Sequence, residues 1–402
     1  MTRQRHVGRT EWLVAGAGFS GATLAERLAT QLGARVLVVD RRPHLAGNAF
    51  DEIDSTGVRV HRYGAHIFHT KSEQVWRYLS HFSEWYPYVH RVLASLDGQL
   101  VPVPCNLTTL AHLLGLAQAA ELERLSTRYF PDQRKITVLS LVNHHHPLLR
   151  AAGREVYEKI FLQYTLKQWG YRPEELDRSV TARVPVLISR DDRYFSDPYQ
   201  GIPKDGYTAL VERLLDNPLI SVELGCDYRS LGNHLRDLPT IYTGPIDEFF
   251  GYVYGHLPYR SLRFQNYSYG VNRLLPVAVV NHPNAPGYTR VIEHAHFLDQ
   301  HVGATTVTYE FPEPYEPSAN EPYYPVPKQE NHHRYQMYAN LASSLAGRVF
   351  FVGRLAEYRY YDMDQAVAHA LAVFNHQITP QSTRRSVGQP ARHERRLATL
   401  AT

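Results

Sequence analysis

The sequence predicts an α/β fold: a Rossmann-like dinucleotide-binding domain that carries a helical insert and an antiparallel β-sheet insert. Three observations point there. Residues 12–40 read as strand, glycine-rich turn, helix and strand, the order of a mononucleotide-binding unit. Residues 108–170 repeat apolar side chains at helical spacing. Residues 183–330 break into short extended pieces punctuated by Pro, Gly and Asn, after which an apolar strand and a helix return.

Taken in order, Trp12–Ala15 is a short apolar strand running into Gly16-x-Gly18-x-x-Gly21. Over 22–32, Leu24, Leu28 and Leu32 share one helix face, and 35–39 is a second buried strand ending at Asp40. In the helical region Leu110, Leu113, Leu114 and Ala117 set a stripe that Leu122 and Leu125 continue; Val156, Ile160, Phe161 and Tyr164 set another. His144, His145 and His146 are adjacent and cannot all face one ion on a helix. Pro147 follows, so they read as a loop, and no metal site is expected. An amphipathic helix spans 207–215. Strands are expected at 277–280, Arg290–Glu293 and 305–311, then an apolar strand over 348–353 and a closing helix over 363–375. Beyond about 378 the chain is polar, basic and aperiodic, and reads as a disordered tail. The expected division is a discontinuous dinucleotide-binding domain (1–72, 205–247 and 340–378), a helical domain (108–180), a β domain (73–107, 181–204 and 248–339) and the tail (379–402).

Composition sets outer limits. At 402 residues, 44% hydrophobic and 20% charged, the chain can bury a sizeable core. A net charge of +4 is too weak to argue for nucleic acid. Two cysteines, Cys105 and Cys226, are too few for a disulfide framework or a thiolate metal site. The first residues lack the apolar core of a signal peptide, and no apolar run reaches the ~20 residues of a membrane helix. A cytoplasmic enzyme without a membrane span is therefore expected. With 28 Tyr against 15 Phe, the aromatic residues favour hydroxyl-bearing rings. Such rings suit a wet site that stacks on bases and binds phosphates.

The glycine fingerprint carries the first chemistry. Gly16 allows the tight turn, Gly18 lets the backbone approach a pyrophosphate, and Gly21 permits close helix packing. The helix N-terminus offers free N–H groups to the phosphates, and Asp40 stands at the right distance to accept from a ribose hydroxyl. Two features favour FAD over NAD. The turn Arg41-Arg42-Pro-His-Leu-Ala-Gly47-Asn48 would bring backbone N–H groups to a flavin nucleotide. Gly353-Arg354 before the closing helix offers a seat for a long cofactor's second half. There is no second fingerprint for a pyridine nucleotide.

Further blocks run collinearly over roughly residues 10–375: YGAHIFHT at 63–70, YTLKQWG at 164–170, YFSDPYQGIP at 194–203, YTGPID at 242–247, YTRVIEH at 288–294, EPYYPV at 321–326 and GRLAEYRYYDM at 353–363. Together they resemble the bacterial UDP-galactopyranose mutase family. The resemblance implies an isomerase, active with reduced FAD, that interconverts the pyranose and furanose forms of a nucleotide-diphosphate hexose, UDP-galactose in the first instance. N5 of the flavin would attack the anomeric carbon and expel the diphosphate. The sugar's 4-OH would re-close the ring, and the diphosphate would return.

By the same resemblance Arg183 and Arg290 bracket the diphosphate, and His66 lies beside the flavin ring as a neutral imidazole able to relay a proton. Tyr194, Tyr324 and Tyr360 bind phosphate, Trp169 stacks on the uracil, and Tyr164, Thr165, Phe195, Asn281 and His90 complete the substrate side. The cofactor contacts implied are Gly16, Gly18, Phe19, Ser20, Gly21, Asp40, Arg41, Gly47 and Asn48 at one end. At the other they are His66, Ile67, His69, Gly353, Arg354, Tyr361, Asp362 and Met363. Strand alternation would point positions 66 and 69 to opposite faces, which argues against a metal. A polar stretch over 176–187 is expected to close over the substrate and carry Arg183 in. The resemblance also allows a homodimer.

Some positions depart from the family pattern. His90 stands where some members carry Asn near the sugar, Val186-Leu187 replaces a more basic pair, residues 265–275 do not match, and the 281–288 loop is one residue short. These departures leave the hexose open, a deoxyhexose included. The competing classes are a flavin oxidoreductase of the amine-oxidase type, which needs an apolar amine cage, and a non-catalytic nucleotide-sugar binder.

Overall fold

Five short strands form a parallel sheet in the spatial order Ile220–Leu224, Val36–Asp40, Trp12–Ala15, Thr240–Tyr242, Val349–Phe351. The computed structural model describes residues 10–131, 133–177, 180 and 184–380. Alternation along these strands explains the sheet. Val14, Val38, Ile241 and Phe350 point into one core with Leu24, Leu28 and Val367 of the helices. Leu13, Leu37, Val39 and Tyr242 point into a second with Leu231 and Leu235. A sheet buried on both faces needs apolar side chains at successive positions, which is why the sequence here reads as continuous apolar runs.

The helix Phe19–Leu32 ends at Gly33, whose φ of +63° and N–H to Leu28 O close its last turn. It packs against the closing helix Met363–Val373. The second strand, Val36–Asp40, begins one residue later than expected and ends at Asp40 as expected.

The second large sheet has the order Tyr324–Pro325, Tyr259–Tyr269, Thr305–Pro314, Arg290–Glu293, Val279–Asn281, Val92–Leu96, Gln99–Val103. All its pairings are antiparallel except that of Val279–Asn281 with Val92–Leu96. The long strand Tyr259–Tyr269 runs into the stretch that matched no family block. Among the described residues there are three smaller sheets; one sets Tyr199–Pro203 between Phe68–Thr70 and Trp85–Pro87. Two helices lie in segments expected to be β: Glu73–Ser80, capped by Ser72, and Gln329–Ser343.

The helical region departs from its stripe at one place. Gly115, with φ +93°, separates Leu107–Leu114 from Leu116–Tyr129. Only glycine reaches that backbone geometry at low cost, so the apolar period spans two helices rather than one. Pro147–Val156 continues through a π-helical stretch, Tyr157–Leu162, into Gln163–Trp169. His144, His145 and His146 lie in the loop before Pro147. Among the described residues no helix is long and apolar enough to cross a membrane. The expected tail lies outside the described residues from 381 onward.

Helix packing in this region rests on Gly153, where a Cβ would come within 2.5 Å of Val142 N and 2.6 Å of Leu141 C. Gly153→Ala should therefore lower unfolding free energy by ~1–3 kcal/mol through overpacking, despite alanine's better helix propensity. Urea titration checks this; an unchanged or raised midpoint would show that the two helices can part without cost.

Candidate active site

Strand order reverses between Trp12–Ala15 and Thr240–Tyr242, and a cleft opens beyond their carboxyl ends, where such sheets hold ligands. Its floor is bare backbone. A Cβ on Gly16 would fall 1.8 Å from Thr243 Oγ1, and one on Gly21 would fall 1.9 Å from Gly16 O. Gly47 faces Gly18 so closely that a Cβ on it would lie 3.2 Å from Gly18 Cα. No side chain caps the helix that starts at Phe19, so its first N–H groups remain for a ligand. The cleft runs from Cys226, Asp227 and Tyr228 past Phe19, Ser20 and Asn48 to His66, Gly353, Arg354, Tyr361, Asp362 and Met363.

Asp40 does more than offer an acceptor. Its Oδ2 accepts the Ala17 N–H at 2.7 Å and its Oδ1 the Arg42 N–H at 2.9 Å. Each oxygen keeps lone-pair capacity for a ribose hydroxyl, but the carboxylate also builds the turn. The basic residues after it are engaged too. Arg41 pairs with Glu321 at 2.8 Å and with Glu248 at 3.6 Å. Arg42 lies over the Tyr63 ring and donates to Asn48 Oδ1 and Glu321. Glu321 thus ties this end of the cleft to the segment that carries Tyr324.

At the other end Gly353, at φ +104°, packs on Ser20 and donates its N–H to Glu357 at 2.7 Å. Asp362 caps the closing helix in a reciprocal arrangement with Gln365. Tyr361 donates its hydroxyl to Glu357. The Arg354 guanidinium donates to Tyr361 O at 2.7 Å and sits over the rings of Tyr360 and Tyr324. Those two rings stack at 5.5 Å, and Trp169, at the end of its helix, lies 6.0 Å from Tyr324.

Next to this stack lies Arg290, the first residue of its strand. It pairs in register with Asn281 on one side and Glu310 on the other. Its Nε lies 3.1 Å from Glu310 Oε1, and the Glu310 side chain is 2% exposed. Burial raises the Glu310 carboxyl, and Arg290 opposes that rise. The same charged group acts on Tyr164, whose phenol burial lifts to about 12. His66 and His90 also feel Arg290, and His66 feels Arg354. Thr165 is buried on the helix of Trp169. Tyr194, Phe195 and His90 form one aromatic cluster. Sequence reasoning missed Glu310, because only strand register sets it opposite Arg290; the local signal was an acidic residue between Tyr309 and Phe311 in a Thr- and aromatic-rich strand.

His66 and His69 part company, though not for the expected reason alone. The strand covers only Phe68–Thr70, and His66 precedes it. His66 Nδ1 meets Gly64 O at 2.9 Å, so it must carry the proton and Nε2 must be the acceptor. Burial lowers its pKa to about 4, which keeps the ring neutral. His69 stacks on Phe195 at 3.6 Å and meets Asp197 at 2.6 Å, while Ile67 packs in the core. Behind His66, His61 Nδ1 accepts the His66 N–H, and His294 Nδ1 accepts the His61 N–H. His294 Nε2 therefore donates to Thr308 Oγ1 at 2.7 Å. Arg183, with much of the stretch expected to close over the substrate, lies outside the described residues.

Comparison with known proteins bears on the family and the fold. A family model described as UDP-galactopyranose mutase matches residues 159–360, and one described as an NAD(P)-binding Rossmann-like domain matches 14–82. The chain is 38% identical to a probable UDP-galactopyranose mutase of Klebsiella pneumoniae, over 89% of this chain and 92% of that one. It is 34% identical to the UDP-galactopyranose mutase of Mycoplasma pneumoniae over 90% and 94% of the two. It is 35% identical to the dTDP-fucopyranose mutase of Escherichia coli over 89% and 96%. A solved structure of reduced UDP-galactopyranose mutase superposes with a TM-score of 0.72 at 14% identity, covering 95% of this chain and 98% of that one. A putative protoporphyrinogen oxidase from Exiguobacterium superposes at 0.58 with 12% identity over 92% and 99%. At such identities these two likenesses speak for the fold alone.

The buried histidines make the site sensitive to acid. Burial holds His90 and His294 at about 3, below the 6.5 of an unfolded histidine. A depressed pKa means the unfolded chain binds the proton first. Their contribution is complete above pH 6.5 and is lost as pH falls from there toward 3. Each should cost up to ~1.4 kcal/mol of unfolding free energy per pH unit in that window. Urea midpoints between pH 7 and 4.5 test this, and a flat profile would mean the rings are hydrated.

Proposed function

The chain belongs to the UDP-galactopyranose mutase family, and on that premise we propose that it interconverts the pyranose and furanose forms of a nucleotide-linked hexose, UDP-galactose first, with reduced FAD bound in the cleft. The family's members are isomerases, and the chain is one of them. The observation that carries the finer reading is continuity. The dinucleotide cleft ends at His66, Gly353 and Arg354, and Arg354 sits over Tyr360 and Tyr324, the second of which adjoins Arg290.

FAD would lie along Gly16, Gly18, Gly21, Gly47 and Asn48, with Asp40 at the ribose and Arg354, Tyr361, Asp362 and Met363 toward the ring. When bound in its reduced form, it supplies a nucleophilic nitrogen for the anomeric carbon without net oxidation of the sugar.

The chain's own groups have three tasks. Arg290 turns its Nε edge to Glu310, so its Nη edge is the one a phosphate would meet in bidentate fashion. Glu310 fixes that orientation. Tyr164, Tyr194, Tyr324 and Tyr360 offer neutral hydroxyl donors, which hold phosphate without the charge that would trap a departing diphosphate. His66, neutral with Nε2 as acceptor, can hold a hydroxyl or ring N–H at the junction of the two ligands. Trp169 would stack on the base. Arg183 is assigned to the diphosphate by resemblance.

A second reading concerns only the sugar. The 35% identity to dTDP-fucopyranose mutase is close to the 38% for the Klebsiella protein, which favours testing a dTDP-linked deoxyhexose beside UDP-galactose.

Purified enzyme reduced with dithionite should convert UDP-galactofuranose to the pyranose, and air-oxidised enzyme should not. Equal turnover in both states would sink the nucleophilic role of the flavin. A parallel assay with dTDP-fucofuranose ranks the two sugars. Arg290→Ala and Arg183→Ala should each lower kcat by ~10²–10³-fold, the cost of removing a donor aimed at developing charge, while flavin absorbance is retained. Near-normal turnover of either variant would remove that residue from the mechanism.

A further inference from the structure

Residues 282–288, His-Pro-Asn-Ala-Pro-Gly-Tyr, join the strand Val279–Asn281 to the strand that starts at Arg290. Pro283 and Pro286 have no N–H to donate, and Gly287 sits at φ +84°. Such a loop has more carbonyls than donors. Two main-chain bonds hold it: His282 N–H to Thr289 O at 2.8 Å and Tyr288 N–H to Pro286 O at 3.1 Å. The remaining carbonyls need an outside partner.

Lys167 supplies it. Its Nζ donates to His282 O at 2.6 Å, Ala285 O at 2.8 Å and Tyr288 O at 2.7 Å, which uses all three protons of an ammonium. Three carbonyl oxygens converging on one point repel each other unless a cation sits among them. Lys167 is itself anchored. Its own carbonyl and that of Gln168 accept from Arg260, at 3.1 and 2.9 Å. These are the last-turn acceptors of the helix Gln163–Trp169, which also carries Tyr164, Thr165 and Trp169. Burial alone brings the Lys167 pKa down to about 8, with no carboxylate contributing.

We infer that Lys167 is a positioning residue for diphosphate binding. Its ammonium gathers the 282–288 carbonyls, fixes the point at which Arg290 leaves the loop, and locks that strand to the helix bearing Trp169. The inference rests on the reading of Arg290 as a diphosphate ligand. Lys167 spends its three donors on loop carbonyls, so it acts through Arg290.

The test is calorimetric titration of flavin-loaded holoenzyme with UDP, in a double-mutant cycle. Arg290→Ala alone should weaken UDP; if it does not, the diphosphate reading falls and the inference with it. Lys167→Met should weaken UDP roughly 10-fold, within the range of coupled neighbours, with flavin absorbance unchanged. Adding Lys167→Met to Arg290→Ala should cost little more than Arg290→Ala alone. A merely structural lysine would instead give additive losses, and that result overturns the inference, as does unaltered UDP binding in Lys167→Met. Lys167→Gln is the second variant. It keeps two donors without the charge and should bind UDP between wild type and Lys167→Met. If neither variant yields flavin-loaded protein, the clamp is a condition of folding and the positioning role is rejected.

Discussion

The seam between Trp12–Ala15 and Thr240–Tyr242 governs the rest of the molecule. Thr243 Oγ1 donates to Ala15 O at 2.9 Å, in space that is open only because Gly16 has no Cβ. Strand order reverses there, the first helix starts there, and both inserts leave from and return to the sheet it divides. A side chain at Gly16 would part the strands and close the cleft in one stroke. Hence the fingerprint's glycines are requirements of packing before they are requirements of binding.

Charge in the site is arranged around a contrast. Arg290 and Arg354 are permanent cations, and Glu310 is the buried anion that faces the first of them. Burial raises the phenols of Tyr164 and Tyr324 and lowers His66 and His90, so each of these four stays neutral. Such a site holds a multiply charged ligand by two or three strong contacts and otherwise by neutral donors. On the proposed reading, a diphosphate could leave and return without a large change in the protein's own ionisation.

Much of this was legible in the sequence where the signal is local. The strand–turn–helix–strand start follows from glycine spacing and apolar runs, and Arg290–Glu293 from its place among short extended pieces set off by Pro, Gly and Asn. Elements that depend on partners were not. The long strand Tyr259–Tyr269 is exposed along much of its length and lacks an apolar pattern, so its pairing with Thr305–Pro314, and at its start with Tyr324–Pro325, makes it a strand. The single stripe through Leu110 to Leu125 hid the break at Gly115, because helical period survives a turn of suitable length. In the site, Asp40 and the glycines were readable from order alone. Glu310 was not, since it meets Arg290 across a register that joins residues twenty apart through a hairpin. Lys167 was visible as a residue of a block but not as a clamp, because its partners are backbone carbonyls that no residue type announces.

The parallel sheet draws its strands from residues 12 to 351, and its last strand, Val349–Phe351, borders Thr240–Tyr242. Gly353 and Met363, which wall the cleft, follow that strand. A chain emerging from the ribosome can therefore complete the helical region and the large antiparallel sheet while the cofactor cradle still lacks one side. Contacts so distant in sequence form late. A flavin bound there would be less a guide to folding than a closing bolt: the glycine turn and Asp40 are made early, but the wall of Gly353, Asp362 and Met363 is added only when almost the whole chain is complete.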